Sequence, residues 1–305
     1  MTCSRVQDRG RTLTATRVGL SSECRAAAAA ALMGFASGSR SGTATSDASN
    51  LLRLPMFAWE AQLVEGFDPA TSFGPEVSQH YDDHLRGDEA ETVDFLAGLA
   101  SGGSALEFAI GTGRIAIPLT QRGVRVDGIE LSPDMVARIR DKPDGDTVDV
   151  TVGDMASAAA PRDKYPLVYL VFNTIYNLLT QDAQVRCFEN AARHLTTDGV
   201  FVVEAGVPSA WLRGDQFVNV EHLGSDEVVL DVNRYNAVTQ ILDENHVSLT
   251  KDGLRFGPIS CRLIWPGEMD LMARIAGMRL VDRWGGWKQE PFTAASNRHV
   301  SVYAR

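Results

Sequence analysis

The apolar residues near the N-terminus follow two different patterns. Residues 1–55 show no sustained apolar periodicity and are rich in Arg, Ser, Thr, Ala and Gly, a composition typical of disordered extensions. Over residues 56–100 the apolar positions recur at helical spacing, as at Val93, Leu96 and Ala100. We therefore expect a disordered extension, followed by a helical cap that precedes the core.

Short apolar runs then alternate with helical stretches. Over residues 101–214 the runs that begin at Ser104, Val124 and Tyr165 have the character of strands, and helical patterns separate them. Strands that alternate with helices pair in parallel through right-handed crossovers, which predicts a doubly wound sheet. Residues 266–305 add a last helix and two strands that can close as an antiparallel hairpin. The expected fold is therefore α/β, with a mostly parallel seven-stranded sheet and an antiparallel end.

The segment between these two parts interrupts the alternation. Residues 215–265 contain four consecutive β-like runs, and Gly, Asp and Asn, which favour turns, separate them. This pattern predicts an antiparallel β insert, which we expect to serve the substrate site or a homo-oligomer interface. No apolar run has the length of a membrane-spanning helix.

The charge and the cysteines narrow the choice of partners. The chain has 29 Lys and Arg against 39 Asp and Glu, a net charge of −10, so its surface repels nucleic acid and anionic membranes. Cys3, Cys24, Cys187 and Cys261 show no C-x-x-C spacing, which argues against a zinc site and a disulfide framework. We expect no metal, no nucleic acid or membrane partner, and a cytoplasmic location.

The N-terminal extension has three interpretations. The alanine run 26–31 resembles part of a secretory signal, but it is only weakly apolar and the segment before it is too long. The acid-poor, Arg-containing composition is also typical of a transit segment. A start codon assigned upstream of a true start near Met56 explains the same composition, and we favour that interpretation.

The most informative stretch is LEFAIGTGR. An apolar strand from Ala105 to Ile110 leads directly to Gly111 and Gly113 at the mouth of the next helix. Glycines there let the backbone turn tightly and let a ligand approach without a Cβ in the way. With Ala116 the stretch also satisfies G-x-G-x-x-A, so a nicotinamide-dependent enzyme remains open at this point.

Acids at the ends of the next two strands separate the cofactor classes. Glu130 closes the second strand, where a carboxylate can accept hydrogen bonds from both ribose hydroxyls of either cofactor. Asp154 closes the third strand beside Met155, a pair suited to the amino group and the face of an adenine. The dinucleotide fingerprint has no role for this acid, and the chain lacks the Tyr-x-x-x-Lys pair of many nucleotide-dependent reductases.

In this order the motifs resemble those of the class I (Rossmann-like) S-adenosylmethionine-dependent methyltransferases of the small-molecule type. LEFAIGTGR corresponds to the first motif, GIELS to the second and VGDM to the third, and the match extends from about Tyr81 to Arg305. The resemblance implies a Rossmann-like core over residues 101–214, with S-adenosyl-L-methionine as cofactor and S-adenosyl-L-homocysteine as product. The cofactor-binding residues that it implies are Tyr81, Glu107, Ala109, Gly111, Gly113, Glu130, Leu131, Asp154, Met155 and Phe172.

The resemblance also assigns parts of the cofactor to these residues. It places the methionine half near Glu107 and the glycine turn, the ribose at Glu130, and the adenine at Asp154. Ala109 stands where the family usually carries its first glycine. Because alanine is the mildest replacement, we expect a slightly altered turn and retained binding.

Methyl transfer from a sulfonium leaves few catalytic signals in a sequence. The displacement needs alignment and exclusion of water more than a strong acid. Asn173 ends the fourth strand beside the expected methyl position, although Asn is also an ordinary turn residue. Tyr176 follows the same strand and is the first candidate for the acceptor pocket, and His84 is a candidate base. Further candidates are His80, His222 and His246 as bases, and Trp211, Tyr235 and Trp265 as pocket residues.

The motif set therefore predicts transfer of a methyl group to N, O or C of a small-molecule acceptor. The alternatives are an NAD(P)-dependent oxidoreductase and a non-catalytic methyltransferase-like scaffold. Retained acids at both strand ends argue against the scaffold. No motif in the cap or the insert identifies the acceptor.

Overall fold

The computed structural model describes residues 67–69, 71–83 and 86–305. The expected N-terminal extension, the first part of the cap and the candidate base His84 lie outside these residues. The helices are α1 Pro75–His80, α2 Glu89–Ala100, α3 Ala116–Gln121, α4 Pro133–Arg140, α5 Gln181–His194, α6 Pro208–Trp211 and α7 Pro266–Ile275. The strands are β1 Ser104–Phe108, β2 Arg125–Glu130, β3 Asp149–Val152, β4 Tyr165–Leu170, β5 Leu195–Gly206, β6 Gln216–Leu223, β7 Glu227–Asn236, β8 Ile241–Thr250, β9 Gly253–Arg262, β10 Arg279–Trp284 and β11 Arg298–Ala304.

The described part of the cap contains two helices joined by turns. The short α1 begins at Pro75, whose fixed φ suits the first turn of a helix. In α2 the residues predicted by helical spacing, Val93 and Leu96, are buried. This helix ends at Ser101, which adopts left-handed backbone angles. The helical spacing therefore identified α2, and the turns before it were not predicted.

Seven strands of the described residues form the main sheet, in the order β10-β11-β5-β4-β1-β2-β3. β1 to β5 pair in parallel, whereas β11 runs antiparallel to both β5 and β10. This arrangement confirms the predicted doubly wound sheet with its antiparallel hairpin. β1 lies between β2 and β4, so the strand order reverses here. Sheets of this kind bind ligands in the crevice outside the carboxyl ends of such strands.

Helices cover both faces of the main sheet. On one face Phe188 of α5 and Met272 of α7 belong to a buried apolar cluster. On the other face Leu96 of α2 and Leu119 of α3 belong to a second cluster. The central strands are therefore buried on both sides, which agrees with their nearly continuous apolar sequences.

The predicted insert is an antiparallel sheet of its own. β6, β7, β8 and β9 follow one another as hairpins between α6 and α7. Alternate residues point to opposite faces. We call the inner face the one that carries Asp231, Asn233 and His246, and the outer face the one that carries Val220 and Phe256, since the strand registers place these residues on opposite sides.

The helices of the described residues are short or polar relative to a bilayer span. None of them has the length and apolar character required to cross a membrane.

Candidate active site

The turn after β1 uses left-handed backbone angles at three positions. Ala109, Gly111 and Gly113 have φ values of 50°, 58° and 75°. A Cβ on Gly111 would lie 3.8 Å from the ring of Tyr81, so the cap tyrosine sits directly over this glycine. For a non-glycine residue the left-handed region costs roughly 1–2 kcal/mol, so Ala109 holds the turn under strain. The altered turn expected at Ala109 is therefore a left-handed alanine.

Glu130 connects the end of β2 to that turn. Its Oε2 accepts the Gly111 N–H at 2.8 Å, and its Oε1 accepts the Ser132 N–H at 2.9 Å. The side chain is buried, and burial raises its pKa. Each carboxylate oxygen has room for a second hydrogen bond. Glu130 can therefore fix the turn and still accept two hydroxyl donors from a ligand.

A pocket opens between the ends of β1, β2 and β3. Ala109, Glu130, Leu131, Asp154 and Met155 all contribute to its lining. The Oδ1 of Asp154 accepts the Ala156 N–H at 2.8 Å, which orients the carboxylate, and Met155 supplies a buried apolar surface beside it. The structure thus brings together five of the ten residues that the motifs assigned to the cofactor.

Residues of the cap segment narrow this pocket. Pro69 and Phe73 complete its lining, and the ring of Phe73 meets the ring of Tyr81 edge-on at 6.5 Å. The enclosed volume is about 70 Å³, whereas sites for small organic ligands span roughly 300–1,000 Å³. With Pro69 and Phe73 in place, the pocket is therefore smaller than such a site.

Glu107 is a buried acid at the other side of the glycine turn. It lies on β1 with 3% of its surface exposed, and its Oε2 accepts the hydroxyl of Tyr169 at 2.9 Å. Burial raises the pKa of Glu107 to about 8, although the hydrogen bond from Tyr169 opposes part of that effect. The carboxyl is therefore largely protonated at neutral pH until a cation pairs with it.

Aromatic rings and guanidinium groups alternate in a layer across the crevice. The guanidinium carbon of Arg114 lies 5.0 Å from the ring centre of Tyr81 and 4.7 Å from that of Phe172. Arg86 covers Phe172 as well, at 4.3 Å. Phe172 and the next residue, Asn173, both have positive φ, 61° and 64°. Strained non-glycine residues of this kind cluster at functional sites, and this pair lies just beyond the end of β4, after Val171.

A buried carboxylate holds this layer in place. Glu204 of β5 accepts two hydrogen bonds from Arg86, at 2.5 and 3.0 Å, and one from the Phe172 N–H at 2.8 Å. Its side chain is 1% exposed, and Arg298 lies 3.6 Å away. The Glu204 contacts therefore fix both the Phe172 backbone and the cation above its ring.

A second cavity, of about 360 Å³, opens beside the end of β4. Arg86, Asn173, Glu204 and Trp211 contribute to its walls. The Oδ1 of Asn173 accepts the Gly206 N–H at 2.6 Å, which joins the ends of β4 and β5. Thr174, the residue after Asn173, lines the first pocket. The two cavities are therefore neighbours on either side of the end of β4.

Known proteins are similar to this chain in sequence and in fold. A family model described as a methyltransferase domain matches residues 105–199. The CcbJ methyltransferase from Streptomyces caelestis, a solved structure, is 32% identical, and the match covers 78% of this chain and 99% of that one with a TM-score of 0.73. The chain belongs to the class I S-adenosylmethionine-dependent methyltransferases. The enzyme therefore uses S-adenosyl-L-methionine as its methyl donor.

Other relatives of the methyltransferase are more distant. The cypemycin N-terminal methyltransferase of a Streptomyces species is 25% identical over 213 residues, which cover 67% of this chain and 84% of that protein. The sugar N-methyltransferase KedS8 from Streptoalloteichus is 18% identical, with a TM-score of 0.55 over 90% of this chain and 99% of that one. The second likeness shows a shared fold.

The residues of the glycine turn and of the pocket suit the cofactor of the methyltransferase. The left-handed turn leaves Gly111 without a Cβ under Tyr81, and Glu130 keeps acceptor capacity on both oxygens. Asp154 and Met155 offer a carboxylate and an apolar face at the opposite wall. Glu107 provides a carboxyl that can pair with an ammonium.

Tyr176 of the methyltransferase lies behind the wall of the second cavity. It is fully buried, and its hydroxyl donates to the Gly206 carbonyl oxygen at 2.5 Å. Its ring meets Trp211 edge-on at 5.5 Å. The 3-10 helix Thr174–Asn177 turns the side chain towards the core. The sequence analysis predicted that Tyr176 lines the acceptor pocket. In this structure its ring instead packs against Trp211 and does not face the cavity.

The described histidines named by the sequence lie away from both cavities. His80 pairs with Asp83 at the surface, His222 is exposed on β6, and His246 lies on the inner face of the insert. None of them lines the pocket at the ends of β1, β2 and β3 or the cavity beside the end of β4. Tyr235 packs against the core, and Trp265 is 40% exposed before α7.

Sequence reasoning missed three charged residues of the methyltransferase site: Arg86, Arg114 and Glu204. Glu204 carries the same signal as Glu130, since it is an acid near the end of an apolar strand. That signal could have identified it. Arg86 is 118 residues from Glu204 in the chain, and no local pattern announces a contact over that distance.

Proposed function

We propose that the enzyme methylates an amine nitrogen of a small molecule bound in the cavity beside the end of β4. The observation that carries this proposal is a cavity of about 360 Å³, within the usual range for small ligands, next to the cofactor pocket. The name of the cypemycin N-terminal methyltransferase supports nitrogen as the acceptor atom. Oxygen and carbon are the alternative acceptor atoms, and the acceptor screen tests them against nitrogen.

The cofactor supplies an electrophilic methyl group on a sulfonium. In the proposal Glu130 holds the ribose, and Asp154 with Leu131 and Met155 holds the adenine. Glu107 and the turn of Ala109, Gly111 and Gly113 receive the methionine half. Tyr81 and Phe172 cover the donor.

Alignment and exclusion of water account for most of the catalysis in this proposal. A neutral amine attacks with its lone pair and needs no strong acid, so the enzyme gains most by fixing the approach of the two reactants. Asn173 and the Phe172 layer fix the end of β4, and Tyr176 positions Trp211 on the far wall. His84 stays the candidate base for an acceptor that arrives protonated.

Thermal melts test the cofactor assignment directly. S-adenosyl-L-homocysteine should raise the melting temperature, because a ligand that binds only the native state stabilises it, whereas NADH and ATP should not. The Glu130→Ala variant should lose most of this stabilisation. Equal shifts with NADH would contradict the assignment.

An acceptor screen tests the nitrogen. Purified enzyme is incubated with S-adenosyl-L-methionine and pairs of compounds that differ only in an amine or a hydroxyl group. We expect S-adenosyl-L-homocysteine to form with members of the amine set, and the rate to rise with pH as those amines lose their protons. Turnover of the hydroxyl partners at equal rates would overturn the proposal.

We further propose that the enzyme forms a homo-oligomer through the outer face of the insert. Apolar side chains that are between 37% and 79% exposed line this face: Val218, Val220, Leu223, Val232, Leu249, Leu254 and Phe256. Four strands of this length cover roughly 500 Å² in projection, near the area that a stable dimer buries on each partner, about 800 Å² of accessible surface. A lone protein rarely leaves an apolar patch of that size open.

Light scattering after size exclusion tests this interface. We expect the parent protein to elute as a dimer or larger oligomer, and Phe256→Glu to shift it towards the monomer. Val281→Glu, an exposed apolar position on β10, serves as the matched control. A monomeric parent protein would overturn the interface.

The remaining proposals concern the chain as a whole. We propose that residues 1–55 are dispensable, that residues 56–100 act as a cap, and that the enzyme works in the cytoplasm. The buried free thiols of Cys187 and Cys261 support a reducing compartment. A protein that starts at Met56 should bind S-adenosyl-L-homocysteine as tightly as the full chain.

A further inference from the structure

The inner face of the insert encloses a third cavity, of about 540 Å³. It shares Ala210 and Trp211 with the cavity at the end of β4, so α6 contributes a wall to both spaces. The remaining lining residues are Arg213, Phe217, Asn219, Glu221, Asp231, Asn233, Leu242, Glu244, His246 and, at the register irregularity of β6, the outer-face residue Val220. The insert cavity is therefore adjacent to the cavity proposed for the acceptor.

Unused hydrogen-bond acceptors mark one wall of the insert cavity. Asn233 and Glu244 are directly opposite each other on β7 and β8. Asn233 is 4% exposed; its Nδ2 donates to the Asp231 carbonyl oxygen, but its Oδ1 has no partner among the described residues. The half-buried Glu244 makes no side-chain hydrogen bond that the described residues reveal. A ligand for this pair must supply N–H or O–H donors, since both side-chain oxygens accept.

The charges around the cavity favour a cation. Glu221 on β6, Asp231 on β7 and Glu244 on β8 face it with three carboxyl groups, against His246 on β8 and Arg213 after α6. The hydrogen bond to Asp231, with an Nδ1–Oδ1 distance of 2.5 Å, raises the pKa of His246 to about 9. The acidic side chains of the lining therefore outnumber the basic ones by one.

A metal ion is the competing ligand, because Glu221, Asp231 and His246 present atoms close enough to hold one. His246 and Asp231 already hydrogen-bond to each other, and an organic cation leaves this pair intact. Trp211 at the mouth of the cavity adds an aromatic face, which also attracts ammonium groups.

We propose that the insert cavity binds a protonated amine of the acceptor, held by the Asn233–Glu244 pair and separate from the atom that is methylated. This inference rests on the proposed function, because it treats the cavity as part of the acceptor site. The acceptor then carries two polar groups: a neutral amine next to the methyl donor and a protonated amine in the insert cavity. Binding of the ammonium at Glu244 therefore selects positively charged acceptors before the methyl group is transferred.

Binding of a matched set of sugars tests the subsite without turnover. Glucosamine carries an ammonium, whereas glucose and N-acetylglucosamine share its ring without the charge. In ¹⁵N-labelled enzyme the indole N–H signal of Trp211, identified by its loss in Trp211→Phe, reports binding. We expect glucosamine to shift this signal saturably, and glucose and N-acetylglucosamine to leave it in place.

Two variants separate the charge from the fold of the insert. Glu244→Gln keeps the shape and should weaken glucosamine binding by about tenfold. Glu227→Gln, an exposed acid on β7 outside the cavity, should bind as the parent does.

Three outcomes would overturn the subsite. They are equal shifts with glucose, unchanged affinity in Glu244→Gln, and selective loss of the Trp211 signal by micromolar Mn²⁺, which would assign the cavity to a metal. A melt with S-adenosyl-L-homocysteine on the same sample distinguishes the two proposals. If S-adenosyl-L-homocysteine stabilises the protein but glucosamine does not bind, only the proposed subsite is wrong. If S-adenosyl-L-homocysteine does not stabilise the protein, the proposed function is wrong as well.

Discussion

The backbone N–H of Gly111 donates to the side chain of Glu130 over 2.8 Å, and this bond makes the shape of the cofactor turn depend on the acid at the end of β2. Glu130→Ala should therefore have two effects. It removes the acceptors proposed for the ribose, which should weaken S-adenosyl-L-homocysteine by about 2–4 kcal/mol, or roughly a hundredfold. It also leaves the Gly111 N–H unpaired, so the melting temperature without ligand should fall. Calorimetric titration measures the first effect, and Glu189→Ala, an exposed acid on α5, is the control. A folded Glu130→Ala that binds like the parent would refute the ribose assignment.

Asp154→Asn should have a smaller effect. The Oδ1 of an asparagine can still accept the Ala156 N–H, so the turn after β3 should survive. The adenine then meets a neutral amide in place of a carboxylate, and the loss should be about 1–2 kcal/mol in the same titration. A loss larger than that of Glu130→Ala would exchange the roles of the two acids.

Ala109→Gly should stabilise the protein slightly. Glycine relieves the left-handed strain of roughly 1–2 kcal/mol. It also raises the conformational entropy of the unfolded chain, which lowers the free energy of unfolding by about 0.4–1 kcal/mol. The net gain in the free energy of unfolding should be below about 1 kcal/mol, measured by urea denaturation. A matched Ala158→Gly, in the loop between β3 and β4, should not gain stability. Destabilisation by Ala109→Gly would show that the Ala109 methyl group packs in the turn more than it strains it.

Glu107→Gln should change how stability depends on pH. The folded pKa of about 8 lies above the ordinary value of 4.5, because burial favours the protonated carboxyl. Stability from this group is therefore complete below about pH 4.5 and is lost as the pH rises through 8. Glutamine can still accept the Tyr169 hydroxyl and does not ionise. The variant should gain on the parent as the pH rises, by up to about 5 kcal/mol above pH 8, in urea melts without ligand. A constant difference between the two proteins across this range would contradict the assignment.

The Arg86–Glu204 pair should show a strong energetic coupling. Arg86→Ala leaves a carboxylate that is 1% exposed with fewer donors, and Glu204→Gln removes the charge but keeps the shape. We expect each change to destabilise the fold by about 1–3 kcal/mol, and the double variant to lose less than the sum. The cycle is measured by chemical denaturation. Strict additivity would mean that Arg298, at 3.6 Å, fully replaces Arg86.

Local sequence patterns predicted the elements and the acids at strand ends, because both depend on short-range rules. The alternation of apolar runs with helical stretches identified the main sheet. Glu130 at the end of β2 and Asp154 after β3 lie at the same edge of the sheet, because the carboxyl ends of parallel strands meet there. The insert strands were identified by consecutive β-like runs within a few residues of their observed ends.

The rest of the site depends on contacts between distant residues. The stack of Arg86 on Phe172 forms only when the segment after α1 meets the end of β4, and no periodicity encodes that meeting. Tyr176 shows a second limit, since an aromatic residue after a strand can face either the crevice or the core. A single 3-10 turn decides between the two directions.

The insert leaves the main fold after α6 and returns before α7, and its first and last strands are the two edges of its own sheet. No strand of the main sheet pairs with it among the described residues. Its length, loops and inner-face side chains can therefore diverge without disturbing the hydrogen bonds that carry the donor site. A chimaera that exchanges the segment between Pro208 and Pro266 for that of a relative should keep donor affinity and acquire a new acceptor preference, which makes this meander a natural unit of exchange.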